Sequence, residues 1–156
     1  MKPLAIKKYP DNVLRKQCQS IEKITEKEIK LFRDMLFTMK HFCGIGLAAP
    51  QIGISKRLIV AEVENITVKL ANPKIIDVKG SDNMPEGCLS VPDITVNVRR
   101  PIGITVKGLN EEGRAVEIRT KGLLARVLQH EIDHLNGKLI IDYMNVLERL
   151  KSKFIK

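Results

Sequence analysis

At 156 residues, 44% of them apolar and only 4% aromatic, the chain is sized for one domain whose core rests on Ile, Leu, Val and Met. Its net charge of +9, from 27 basic and 18 acidic residues, suits polyanions or plain solubility, but no aromatic-interleaved basic patch supports single-strand nucleic-acid reading, and nothing points to specific DNA. No apolar run has signal-peptide or membrane-spanning character, and three cysteines without disulfide spacing imply a reducing, cytoplasmic setting.

Residues 1 to 25 read as irregular, with Tyr9-Pro10-Asp11-Asn12 as a turn signal. From Thr25 to Phe42 the steps of three and four between Ile29, Phe32, Leu36, Met39 and Phe42 predict an amphipathic helix. Thr25 followed by Glu28 is a capping box. His41 and Cys43, at the end of that helix, have no ligand-spaced partner and read as structural. The next segment, Gly44-Ile45-Gly46-Leu47-Ala48-Ala49-Pro50-Gln51-Ile52-Gly53, reads as a tight loop that lets the backbone approach another group closely. It lacks phosphate-loop spacing. Gln51 is its one polar side chain, either bonded to backbone or aimed at a substrate.

Strand patterns follow at Arg57–Glu62, Thr67–Ala71, Lys74–Val78, Ile94–Val98, Ile102–Lys107 and Ala115–Arg119, broken by Asn-Pro, Gly-Ser and Glu-Gly steps that suggest antiparallel hairpins. Between them Pro85-Glu86-Gly87-Cys88-Leu89-Ser90-Val91-Pro92 reads as a defined loop carrying a cysteine. After the last strand comes a helix, with Thr120 as a possible N-cap and Gly137 as a stop. Leu139 to Tyr143 reads as a short strand or turn. Val146 to Lys156 reads as a short basic helix with Leu147, Leu150 and Phe154 on one face.

The helix before Gly137 holds Gln129-His130-Glu131-Ile132-Asp133-His134, an H-E-x-x-H pattern in a chain with three histidines. At about 100° per residue, His130 and His134 fall roughly 40° apart on one face and can bite one metal ion. Glu131 lies beside that bite, placed to handle protons of an activated water, so the chemistry suggested is metal-assisted hydrolysis. Leu123 and Val127 share the histidine face. Leu124, Leu128, Leu135, Ile132 and Ala125 cover the opposite side, leaving a narrow polar stripe of Arg126, Gln129 and Asp133. A helix this apolar belongs in the middle of a domain.

Two histidines need a third protein ligand. The longer metalloprotease pattern would put a third histidine at position 140, where Ile140 stands. Glu148 is the only later glutamate and sits in a basic tail. Upstream the candidates are Cys88, Cys43, Cys18 and His41. Cys88 is the best placed, its alternative being a small buried thiol.

Taken together, Gly44 to Gln51, Glu86-Gly87-Cys88-Leu89-Ser90 and Gln129 to His134 resemble, in order and spacing, the three motifs of the peptide deformylase family. Tyr9-Pro10-Asp11 and Arg100-Pro101 extend the resemblance over nearly the whole chain. It implies an enzyme that removes the formyl group from the formyl-methionine of newly made proteins and releases formate. Cys88, His130 and His134 would bind one divalent ion, with Fe²⁺ as the native metal and Zn²⁺, Ni²⁺ or Co²⁺ as replacements. Glu131 would be general base and proton donor. Gln51 and the backbone N–H of Leu89 would stabilise the oxyanion.

By the same resemblance the nascent chain lies as an added strand beside Ile45-Gly46 and Gly87, with its methionine in a pocket of Ile45, Leu123, Val127 and His130. Ribosome contact through the basic tail is a further implication, although that tail is shorter than in many members. Arg126 departs from the family, standing where many relatives carry an apolar residue near the pocket. Met84 and Pro85 stand before Glu86 where an acidic or polar pair is common. Asp133 can orient a ligand or cap the polar stripe. The expected fold is α+β: antiparallel sheets around a central buried H-E-x-x-H helix, with an N-terminal amphipathic helix and a short C-terminal one, as a single catalytic domain over residues 1–156.

Overall fold

In the computed structural model, which describes residues 1–152, five strands pair antiparallel in one sheet and two more form a separate hairpin. The first sheet runs β1 (Gly46–Ala48), β2 (Leu58–Val63), β3 (Ile66–Lys79), β6 (Gly103–Leu109) and β7 (Ala115–Lys121) in spatial order. The hairpin pairs β4 (Asp82–Cys88) with β5 (Val91–Arg100). The fold class expected from sequence, α+β with antiparallel sheets and few helices, is the one observed.

Two helices cover opposite faces of the larger sheet: α1 (Glu26–His41) and α2 (Leu123–Leu135). The run Leu58-Ile59-Val60-Ala61 shows why. Alternate side chains on a strand point to opposite faces. Leu58 and Val60 pack with Phe32, Met35 and Met39 of α1, while Ile59 and Ala61 pack with Ala125, Leu128 and Ile132 of α2. A strand covered on both faces reads as a continuous apolar run, and this one does.

Helix α1 starts at a capping box in which Thr25 accepts from the Lys27 amide and Glu28 accepts from the Thr25 amide at 3.0 Å. Its buried stripe is Phe32, Met35 and Met39; Phe42 lies past the last turn and is exposed. The predicted stripe therefore ends one turn early, because the helix stops at His41 and the chain turns through Cys43 at φ 57°.

Three further expectations are corrected. The Asn-Pro step does not divide a hairpin: β3 runs through it as a bulge, with Asn72 at φ 51° and its side chain bonded to both backbone groups of Ile21. Gly46–Ala48 and Asp82–Cys88 are strands, not loop. Pro85 and Gly87 hid the second; a proline is tolerated there because one edge of β4 is unpaired within its sheet. Thr120 is not the cap of α2, since β7 continues to Lys121 and Gly122, at φ 71°, starts the helix without a side-chain cap.

Gly137 does end α2, at φ 73°, and a Cβ there would fall 2.5 Å from the Arg15 carbonyl oxygen. Leu139 to Tyr143 forms a single 3₁₀ turn over Ile140–Tyr143 that packs on the β4–β5 hairpin through Ile140, Val96 and Val98. A last helix, α3 (Val146–Lys151), leaves Val146, Leu147 and Leu150 exposed. Phe154, assigned to the same face from sequence, lies outside the described residues.

Glu28 is buried, and hydrogen bonds from Thr25 and Lys56 outweigh desolvation and bring its pKa down to about 2. A depressed carboxylate stabilises the fold above its ordinary pKa of 4.5 and loses that contribution as pH falls toward 2. Acid unfolding should therefore show a loss of stability across that interval that Glu28→Gln flattens, while lowering stability at neutral pH. Superimposable stability–pH profiles for the two proteins would contradict this.

Candidate metal centre and cleft

Helix α2 places His130 and His134 one turn apart, and the end of β4 brings Cys88 to them. Their donor atoms lie within 4.8 Å of one another: His130 Nε2 and His134 Nε2 are 3.2 Å apart, and Cys88 Sγ is 3.3 Å from His134 Nε2. Cys88 is held there by local geometry. It sits where the β4–β5 register shifts, pairs with Val91, and is followed by the two-residue turn Leu89-Ser90. The cysteine thus closes a strand instead of occupying a free loop.

The imidazole tautomer follows from one contact. His130 Nδ1 is 2.9 Å from Glu86 Oε1, and an ionised carboxylate only accepts, so Nδ1 carries a proton and Nε2 is the atom turned to the other donors. Glu86 is ionised because the hydrogen bonds and charges of His130, Arg100 and Arg126 overcome desolvation and hold its pKa at about 2. Arg100 grips the same carboxylate through Nε at 2.7 Å and Nη2 at 2.9 Å. Its Nη1 reaches Asp133 at 2.9 Å, and Tyr143 donates to that same carboxylate oxygen at 2.6 Å. Asp133 thus anchors Arg100; it does not touch a candidate ligand directly.

Do these residues suit a metal ion? A thiol and two imidazoles are the donor set that takes divalent iron, nickel, cobalt or zinc. Three donor atoms converging on one point need something positive between them, a proton or a metal ion. The surroundings agree. Burial alone would lower the His130 pKa, yet Cys88, Glu86 and Glu131 raise it to about 10, so the centre attracts positive charge. His134 goes the other way, lowered well below its ordinary value by burial and by the charges of His130 and Arg100. Its Nδ1 has no hydrogen-bond partner among the described residues. The group fits.

Beside the donors lies a cleft of about 480 Å³ bounded by β1, the β4 strand and α2. Ile45, Gly46, Gly87, Leu89, Leu123, Val127, His130, Glu131 and Gln51, the residues singled out from sequence, all line it with Cys88. Ile45 and Leu123 are exposed at its opening, whereas Val127 is buried. Gly46 is required by close approach: a Cβ there would lie 2.4 Å from Glu131 Oε1 and 2.7 Å from Val127. Glu131 is 4% exposed, its Oε2 lacks a partner among the described residues, and burial raises its pKa to about 7. Of its two readings, Gln51 takes the backbone-bonded one, with its amide nitrogen turned to side chains of the cysteine turn. Its Oε1 accepts from the Ala48 amide at 2.9 Å, and its Nε2 donates toward Ser90 Oγ at 3.2 Å and Cys88 Sγ at 3.6 Å.

The other ligand candidates are elsewhere. Cys18 is in the core under α2, and His41 is exposed against Phe37 and Phe42. Cys43 lines the cleft mouth but is outside the donor group. Glu86 and Arg100 stand in family motifs, but nothing local in the sequence assigns them a role. A signal was available: Val96, Val98 and Arg100 share one face of β5, and an arginine on an inward face needs a buried carboxylate.

Three convergent donors beside a buried, unpaired carboxylate define a candidate metal centre of hydrolytic type. The comparisons agree. The polypeptide deformylase family profile matches residues 3–150. A peptide deformylase of Halothermothrix orenii is 50% identical over 144 residues, covering 91% of this chain and 94% of that one. One from Thermodesulfovibrio yellowstonii is 47% identical over 158 residues, covering 97% and 96%. The solved peptide deformylase of Thermotoga maritima superposes with a TM-score of 0.88 at 44% identity, over 91% of this chain and 97% of that one. The Legionella pneumophila enzyme gives a TM-score of 0.91 at 42% identity, over 96% and 90%. The chain belongs to the polypeptide deformylase family, metal-dependent hydrolases that remove the N-formyl group from nascent peptides.

Because Glu86 sets the tautomer of His130, Glu86→Gln should weaken divalent-metal binding by about tenfold to a hundredfold. Competition against a chromophoric chelator measures this. Unchanged affinity would remove Glu86 from the metal centre.

Proposed function

We propose that residues 1–156 form one catalytic domain that hydrolyses the formamide of formyl-methionine at the N-terminus of newly made chains in the cytoplasm. Cys88, His130 and His134 hold one divalent ion, Fe²⁺ natively, with Zn²⁺, Ni²⁺ or Co²⁺ as substitutes the same donors accept. When bound, that ion supplies a Lewis acid, lowering the pKa of water and polarising the formyl carbonyl. The single observation behind this reading is the convergence of the three donor atoms next to the unpaired carboxylate of Glu131.

The chain's own groups carry the remaining work. Glu131, buried and with a pKa raised to about 7, takes a proton from water as its oxygen adds to the formyl carbon. It then delivers that proton to the amine nitrogen as the C–N bond breaks, leaving formate and a free N-terminus. Gln51 Nε2, held in place through Oε1, and the Leu89 backbone N–H donate to the oxygen on which negative charge grows. The low polarity of the cleft strengthens both contacts.

Strand edges orient the peptide. β1 is the outer strand of its sheet, β4 has one unpaired edge, and residues of both line the cleft. An extended chain adds there as a strand beside Ile45-Gly46 and Gly87, with main-chain hydrogen bonds setting its register. Its methionine side chain enters among Ile45, Leu123, Val127 and the His130 ring. The basic surface, with a net charge of +9, favours meeting this substrate at the ribosome, a polyanion.

Metal-loaded protein should release formate from formyl-Met peptides and leave unformylated peptides intact. Glu131→Ala should cut turnover by at least about a hundredfold while one ion per chain remains. Turnover that survives in Glu131→Ala with the ion retained would exclude Glu131 as the proton carrier.

A further inference from the structure

The β4–β5 hairpin shares no backbone ladder with the larger sheet, yet its strand β4 forms one wall of the cleft whose other walls are α2 and β1. Side chains must therefore fix how far β4 stands from α2. Near Cys88 the link runs through Glu86, His130 and Arg100. Toward the start of β4 it is Arg126 that reaches across. Its Nη2 donates to Asp82 Oδ1 at 2.5 Å and to the Asp82 carbonyl at 3.2 Å. Its Nη1 donates to Glu86 Oε2 at 2.7 Å and to the Val98 carbonyl at 2.9 Å. The residue is 5% exposed.

Asp82, Met84 and Glu86 lie at alternate positions and so share one face of β4. The guanidinium holds the first and the third. The one between, Met84, lines the cleft together with Leu123 and Val127. Arg126 lines it too, and both of its terminal nitrogens are engaged by protein oxygens, so its charge is met inside the protein. The cleft keeps an apolar wall although a cation stands in it.

We propose that Arg126 is a positioning residue for side-chain selectivity: by bridging Asp82 to Glu86 it sets the gap between β4 and α2, and with it the width of the pocket for the first side chain. This rests on the reading that the cleft takes the methionine. Arg126 touches no reacting atom. It acts through Met84 and the β4 backbone, so its loss widens the pocket and weakens grip on the side chain more than it slows the chemical step.

The test compares kcat and KM for formyl-Met-Ala-Ser and formyl-Ala-Ala-Ser on metal-loaded protein. In Arg126→Met, which keeps an unbranched stem, the Met-over-Ala ratio of kcat/KM should fall about tenfold, chiefly through KM. Arg126→Lys should recover part of the ratio, and metal content should stay at one per chain. Asp82→Ala, which removes only a half-exposed partner, should lower the ratio by about threefold and decides the matter if Arg126→Met fails to fold. A ratio equal to that of the parent protein, with only a lower melting temperature, overturns the proposal. A parent protein that does not prefer formyl-Met would instead overturn the pocket assignment on which it stands.

Discussion

One carboxylate joins the β4–β5 hairpin to helix α2. Glu86 leaves the hairpin that carries Cys88 and meets His130 of the helix that carries the other two donors, while Arg100 and Arg126 hold it from either side. Removing one partner of such a buried cluster leaves charges without compensation, at a cost of about 3–5 kcal/mol. The cluster is therefore poor as a general stabiliser and good as a specifier: there is one arrangement in which every member is satisfied. That arrangement is also the one that turns Nε2 of His130 toward Cys88 and His134.

The second constraint is dryness. Helix α2 is packed against the sheet through Leu124, Ala125, Leu128 and Ile132, so the face bearing His130, Glu131 and His134 has little access to water except through the cleft. Burial explains why Glu131 is raised to about 7, into the range where a carboxyl can both accept and return a proton near neutral pH. It also explains why His134 stays neutral and available as a donor. Gly46 completes the effect by letting the β1 backbone approach Glu131 within a distance no side chain would allow.

Much of this was legible in the amino-acid sequence, for reasons that differ by element. The spacing of His130 and His134 is local, and helical periodicity alone puts them on one face. Thr25 and Glu28 mark the start of α1 because their partners are three residues away. Cys88 was only the best of several thiols until the family motifs were considered, since its meeting with α2 spans 46 residues and no local rule predicts it. β4 was hidden by Pro85 and Gly87, residues that usually break strands but are tolerated beside an unpaired edge. Helical spacing marks the polar stripe of α2 but not its partners: Arg126 and Gln129 are buried, the first bonded to Glu86 and Asp82 of the hairpin and the second to the Pro101 carbonyl just past it. The partners that neutralise Arg126 are 40 and 44 residues away, beyond the reach of any local rule.

The account depends most on one sulfur and two imidazole nitrogens sharing a single ion. X-ray absorption spectroscopy of protein loaded anaerobically with Fe²⁺ or Co²⁺ measures that directly. One sulfur scatterer at about 2.3 Å and two nitrogen scatterers at about 2.1 Å, with the sulfur lost in Cys88→Ala, is the predicted result. A first shell of oxygen and nitrogen alone, unaltered by Cys88→Ala, would contradict it.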